Sequence, residues 1–194
     1  MSQPGGAFAW LNAEPGPKMI VEALKLYGAL EKPGAGSNPT ILAWADELGA
    51  GVASAYARWA SRWYDDDAKP WCALFMAVVA KRAGKIPPDL FLGARNWEGW
   101  GTKSPKAALG DVLVFVRSGG GHVGLYVGEN ADHYWFLGGN QGDTEHGRKG
   151  DSVGIAPIAK ARCTAVRRPP YSVLPNNVRS ITIAASGAAS TNEA

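Results

Sequence analysis

The sequence predicts an α+β fold in which N-terminal helices pack on an antiparallel sheet of about five or six strands. Three observations carry this reading. Apolar residues recur at helical spacing through the first half, and the second half breaks into short β-rich runs separated by Gly or Asn turns. Between the two lies a run, residues 73–80, that is apolar nearly all round and therefore reads as a buried helix. Helices first and strands later, with short connections, favour segregated layers over alternating βαβ units. With 46% apolar and 19% charged residues among 194, the chain can bury one substantial core and does not have the composition of a disordered protein.

Each element has its own signal. Residues 18–30 place Met19, Ala23, Leu26 and Leu30 on one helical face behind Pro17. Residues 33–39 are a loop by composition, after which Thr40 caps a helix through Ile41, Trp44, Ala45 and Leu48 that Gly49 ends. Residues 52–63 are a further helical candidate, its Trp and Tyr residues spread round the wheel, and Tyr64-Asp-Asp-Asp67 breaks it. The helix over 71–83 has Pro70 at its start, Lys81 and Arg82 in its last turn and Gly84 just beyond. Strands follow over 111–117, 122–127, 133–137, 152–158 and 163–167. Pro169 and Pro170 close the ordered body. The chain thus divides into an N-terminal extension (1–14), a single domain (15–170) and a tail (171–194), whose run 180–184 either adds an edge strand or stays free.

Composition excludes several functions. A net charge of +3 without a Lys/Arg stripe argues against nucleic acid and is compatible with an anionic polymer. No run of 18 apolar residues exists, so membrane insertion is not expected. The first residues lack a basic region and residues 7–11 are too short for a leader core, so synthesis in the cytoplasm without a signal peptide is expected. Cys72 and Cys163 make no disulfide framework. His133, His146 and Cys163 match no zinc spacing, and Asp65–Asp67 lack the alternation of a calcium loop and read as a solvated acidic turn, so no metal and no cofactor is expected. Eight Trp residues are many for this length; some must be core, and surface aromatics that stack on sugars or peptides are compatible with the rest.

The chemistry centres on Cys72. It lies in the first turn of the buried helix, where unpaired backbone N–H groups and the positive helix end favour a thiolate. A small buried apolar residue is the competing reading of a free Cys. His122 opens a strand behind three glycines that leave room for a substrate, which suits a general base for Cys72. A third group should hold the imidazole. If the turn near residues 129–132 pairs Tyr126 with Phe136, His122 faces Asn140; a one-residue slip places it opposite Gly139 with Gln141 on its face. The first register pairs two aromatics and is preferred, which makes Asn140 the orienting residue. Cys163 reads as a core residue. Arg95, Trp97 and Trp100, in a Gly-punctuated segment, are either groove-lining or a surface Arg beside two core Trp.

The blocks Pro70-Trp-Cys-Ala73, Gly110-Asp-Val112, Gly121-His-Val-Gly124 and Gly138-Gly-Asn-Gln141 resemble the NlpC-like and CHAP-like cysteine peptidases and amidases, and in particular a phage and prophage branch of these cell-wall hydrolases. The resemblance covers residues 15–170. It implies a papain-like fold, cleavage of amide bonds in peptidoglycan, the nucleophile at Cys72, the base at His122 and the orienting residue at Asn140. The Cys72 backbone N–H would donate to the oxyanion, with Tyr64 and Gln141 as candidates for the second donor; Trp71, Arg95 and Trp97 are further candidates to face the substrate. The reading expected from this resemblance is an endolysin-like endopeptidase, monomeric, made in the bacterial host cytoplasm and acting on the wall in the periplasm. The alternatives are an N-acetylmuramoyl-L-alanine amidase with the same triad, a non-catalytic wall-binding module on the same fold, and an intracellular thiol peptidase.

Overall fold

A computed structural model describes residues 2–50, 54–117 and 119–183. The α-helices are α1 (Lys18–Leu24), α2 (Pro39–Gly49), α3 (Ala55–Trp63) and α4 (Cys72–Arg82). The strands are β1 (Thr102–Lys103), β2 (Val112–Arg117), β3 (Gly120–Glu129), β4 (His133–Asp143), β5 (Arg148–Ala159) and β6 (Cys163–Arg168). They form one antiparallel sheet in the order β1-β6-β2-β3-β4-β5, so the architecture is α+β as the sequence predicts.

Local chemistry explains most boundaries. Residues 18–30 do not form one helix: α1 stops at Leu24 because the next segment is drawn to the sheet edge. Gly28 N–H donates to the Val153 carbonyl, Glu31 N–H donates to the Asp151 carbonyl, and Leu30 bridges Ser152 and is left exposed. Asn38, not Thr40, caps α2; its side chain accepts from the Thr40 N–H at 2.9 Å, and Pro39 fills the first turn. Ser54 caps α3, and the buried Ala57 and Ala60 give that helix a small-residue face; the start expected at residue 52 lies outside the described residues. In α4 every residue from Cys72 to Ala80 is buried. The helix ends as expected, with Arg82 paired to Glu47 at 2.6 Å and Gly84 in the left-handed region at φ 74°.

The sheet has two unlike faces. Val112, Val114, Val123, Leu125, Val127, Trp135 and Leu137 join the helices in the main core. Leu113, Phe115, Tyr126, Phe136 and Ile158 form a smaller cluster with Ala107. Phe8 and Leu11 of the N-terminal segment are buried in the main core. Residues of the tail return to the sheet: Glu129 N–H donates to the Ile181 carbonyl, and Thr182 makes an isolated parallel bridge with Glu129. Ala184 lies outside the described residues. No helix among the described residues is long and apolar enough to cross a membrane.

Candidate functional site

The site forms where β3 and β4 part. The two strands pair from Glu129↔Tyr134 to Leu125↔Leu137, with Tyr126 opposite Phe136 as the preferred register requires. Beyond Leu137, β4 departs from regular pairing. Its register against β5 shifts between Gly138 and Gln141, and Asn140 takes φ 54°. The start of α4 packs on this stretch. A Cβ at Gly139 would lie 2.6 Å from the Trp71 ring and 2.7 Å from the Phe75 Cβ, so only a glycine permits the approach.

Cys72 opens α4, with Trp71 as its N-cap. Burial raises its thiol pKa. The Arg117 charge and the backbone N–H groups of Ala73, Val123 and Cys72 itself act in the opposite direction and favour the thiolate. The Val123 N–H brings the sulphur beside β3, one residue along from His122.

His122 is fully buried, its ring edge-on to Phe136 at a centroid distance of 5.3 Å. Its Nε2 lies 2.7 Å from Gln141 Oε1. The Gln141 amide nitrogen donates to the Phe136 carbonyl at 3.2 Å and to the Gly154 carbonyl at 2.8 Å. Two carbonyl acceptors orient the amide, so its oxygen faces the imidazole and Nε2 carries the proton. Nδ1 is then the basic nitrogen, and it is buried with no hydrogen-bond partner among the described residues. No hydrogen bond joins it to Cys72 in this structure. Burial, then the Arg117 charge, pushes the His122 pKa down to about 3, against the Gln141 contact that raises it. The imidazole is therefore neutral at rest.

The third position is a correction. The register that should bring Asn140 to His122 is present at Tyr126 and Phe136, but the extra residue at the irregularity shifts the alternation, so Gln141 takes the His122 face. The Asn140 side chain instead accepts from the Trp71 backbone N–H at 3.3 Å, tying β4 to the start of α4.

Several substrate-facing expectations are also corrected. Tyr64 is buried and spends its hydroxyl hydrogen on the Lys69 carbonyl at 2.6 Å, so it is not an oxyanion donor. Gln141 has both donors committed, as above. Trp71 is buried, its indole N–H donating to Glu31 at 3.3 Å, and Trp97 is buried with its indole N–H on the Phe91 carbonyl. Trp97 and Trp100 form an edge-to-face core pair. Arg95 is half exposed and bound to Glu98; its stem covers Gly121, where a Cβ would lie 2.7 Å from Arg95 Cδ. Cys163 is partly buried at the start of β6. The acidic turn is not simply solvated: buried Asp67 accepts from the backbone N–H groups of Lys32 and Asn38 at 2.9 and 2.7 Å. Among the described residues no group of three His, Cys, Asp or Glu side chains could hold a metal ion.

Sequence reasoning missed Arg117. It pairs with Gly120 while Phe115 pairs with His122, which puts Arg117 on the His122 face of the β2–β3 hairpin. Its charge acts on both Cys72 and His122. The signal lay in the short hairpin that joins the strand 111–117 to His122. No protein-family model matches the chain, and no curated protein matches it.

Proposed function

We propose that the chain is a cysteine-dependent peptidoglycan hydrolase of the NlpC-like and CHAP-like type, on a papain-like fold, cutting an amide bond of the stem peptide. The observation that carries this reading is the buried His122, held at Nε2 by Gln141 with Nδ1 unpartnered, one residue from the backbone N–H that serves the Cys72 sulphur.

His122 Nδ1 takes the thiol proton, and the Cys72 sulphur attacks the amide carbonyl carbon. The backbone N–H groups of Cys72, Ala73 and Val123, which already favour negative charge on the sulphur, are the donors available to the oxyanion. The C–N bond breaks as the imidazolium returns its proton to the departing amine. Water then attacks the thioester, His122 accepts its proton, and the carboxylate product leaves with the thiol restored. Gln141 accepts from Nε2–H throughout and holds the ring's tautomer.

We favour an endopeptidase that serves phage lysis as a monomer, made in the host cytoplasm and acting in the periplasm. Digestion of purified Gram-negative sacculi by wild type and by Cys72→Ser tests the reading. Solubilised wall fragments from wild type only are expected; intact sacculi at every pH would overturn it. Mass spectrometry identifies the bond: stems truncated on the glycan mean endopeptidase, and released intact stems mean amidase.

A further inference from the structure

The proposed chemistry leaves unused the arginines gathered at the end of the β2–β3 hairpin. Arg117 stands opposite Gly120, and Arg162 donates from Nε to the Val116 carbonyl at 3.2 Å. Arg95 comes from elsewhere in the chain, the 3-10 segment Ala94–Gly99. Its stem lies across Gly121, which pairs with Val116; a Cβ on Gly121 would meet Arg95 Cδ at 2.7 Å and Cγ at 2.9 Å. The absence of a side chain at Gly121 is what lets an arginine lie against β3 here.

This contact places Arg95 beside the candidate active site. Gly121 directly precedes His122, so the arginine stem rests one residue from the proposed base. The 3-10 segment and α4 both pack on β3. Gly121 shares a strand face with Val123, a residue of the main core whose N–H serves the Cys72 sulphur. Two residues of strand span about 7 Å, the length of one or two residues of a bound peptide.

Arg95 is held at two points and open at a third. Buried Trp97 anchors its segment, with the indole N–H donating to the Phe91 carbonyl at 3.1 Å. Glu98 accepts from Arg95 Nε, and the same Glu98 oxygen accepts from the Thr164 hydroxyl of β6 at 2.6 Å. The ion pair with Glu98 therefore takes one nitrogen of the guanidinium. Nη1 and Nη2 of this half-exposed side chain make no hydrogen bond among the described residues. They form a planar edge that a carboxylate can meet with both oxygens. A cation already fixed along its stem and at Nε loses little freedom on binding. We infer that Arg95 is a specificity-determining residue whose Nη1 and Nη2 bind a carboxylate of the substrate peptide close to the amide that Cys72 attacks. This rests on the proposed hydrolase reading and defines the substrate as an acidic peptide.

The probes are a sugar-free stem peptide and versions of it in which each carboxylate is converted in turn to the carboxamide. Wild type should cleave the free acid with a kcat/KM about tenfold or more above that of one of the amides. Arg95→Gln should bring those two values to within about twofold of each other, while Arg95→Lys should keep part of the preference, because it keeps the charge without the fork. Circular dichroism and urea denaturation check the fold of each variant. Calorimetric titration of full-length Cys72→Ser protein with the same peptides reads binding without cleavage and should show the same preference. A wild type indifferent to every amidation, or an Arg95→Gln variant that loses equally on acid and amides, overturns the inference. If the wild type cleaves neither peptide nor sacculi, but Cys72→Ser protein prefers the acid and loses that preference with Arg95→Gln, the hydrolase reading fails and the carboxylate site stands. No binding of the acid by Cys72→Ser protein overturns the site.

Discussion

Gln141 fixes His122 by a 2.7 Å contact made with the one amide atom that the surrounding carbonyls leave free. Replacing Gln141 with Ala should lower turnover by a factor on the order of tens to hundreds, because orientation is lost while the proton acceptor stays. It also leaves Nε2–H buried and unpaired, at a cost of about 1–3 kcal/mol. Sacculus turnover and urea denaturation read the two effects separately. Asn140→Ala should affect turnover less, and Asn140→Gly least, since Asn140 supports the Trp71 N–H and a left-handed backbone. Equal losses at both positions would remove Gln141 from its special place.

Cys72→Ser should abolish turnover with the fold intact, since the hydroxyl is a far weaker nucleophile beside the same base. Cys163→Ser should retain activity near wild type. Loss of activity in the second variant, without unfolding, would assign the chemistry to the wrong sulphur.

Stability should depend on His122 in acid. Its pKa is 6.5 when exposed and about 3 in the fold, so the unfolded chain takes up the proton first as pH falls. The His122 contribution is complete above pH 6.5, fades as pH falls towards 3, and does so by at most about 1.4 kcal/mol per pH unit. Urea midpoints of wild type and His122→Gln, compared from pH 7 to 4, should show a flatter dependence in the variant. Parallel curves would show that the imidazole is not held neutral by burial.

Arg117 should set the reactivity of Cys72. Arg117→Gln removes a charge that favours the thiolate, so the thiol pKa should rise further and alkylation by iodoacetamide at pH 8 should slow by about tenfold. Mass spectrometry of the modified Cys72 peptide over time checks this. An unchanged rate would mean that solvent screens the guanidinium.

Asp67 should matter for stability and Asp65 should not. Asp67→Ala strands two backbone donors, at Lys32 and Asn38, and should cost about 2–3 kcal/mol. Asp65 is exposed and its ion pair with Lys69 is a surface one, so Asp65→Ala should leave the denaturation midpoint in place.

The legible parts of the molecule were those with a short period. Helix α4 could be read residue by residue, because its apolar run, Pro70, its basic last turn and Gly84 all agree. Cys72 and His122 could be singled out from their local settings. The Tyr126–Phe136 register was legible as well, yet the face of Asn140 was not, because one left-handed residue reverses the alternation without any sequence period to announce it. Trp71 and Trp97 looked available to a substrate for a different reason: burial is decided by what packs on top, here Gly139 and Trp44 on Trp71 and Trp100 on Trp97. The early end of α1 depended on an edge strand more than a hundred residues away in the chain.

The shielding of Cys72 separates endurance from turnover. Its sulphur belongs to a residue only 7% exposed, and burial keeps it protonated at rest; burial likewise pushes the Cys163 thiol up to about 11. Peroxide attacks thiolates that it can reach, so neither sulphur is a ready target while the protein is idle. The first oxidative damage should fall on the more accessible Cys163, which the proposed chemistry does not use. A chain built this way can be stored in air and lose its thiol titre before it loses its activity.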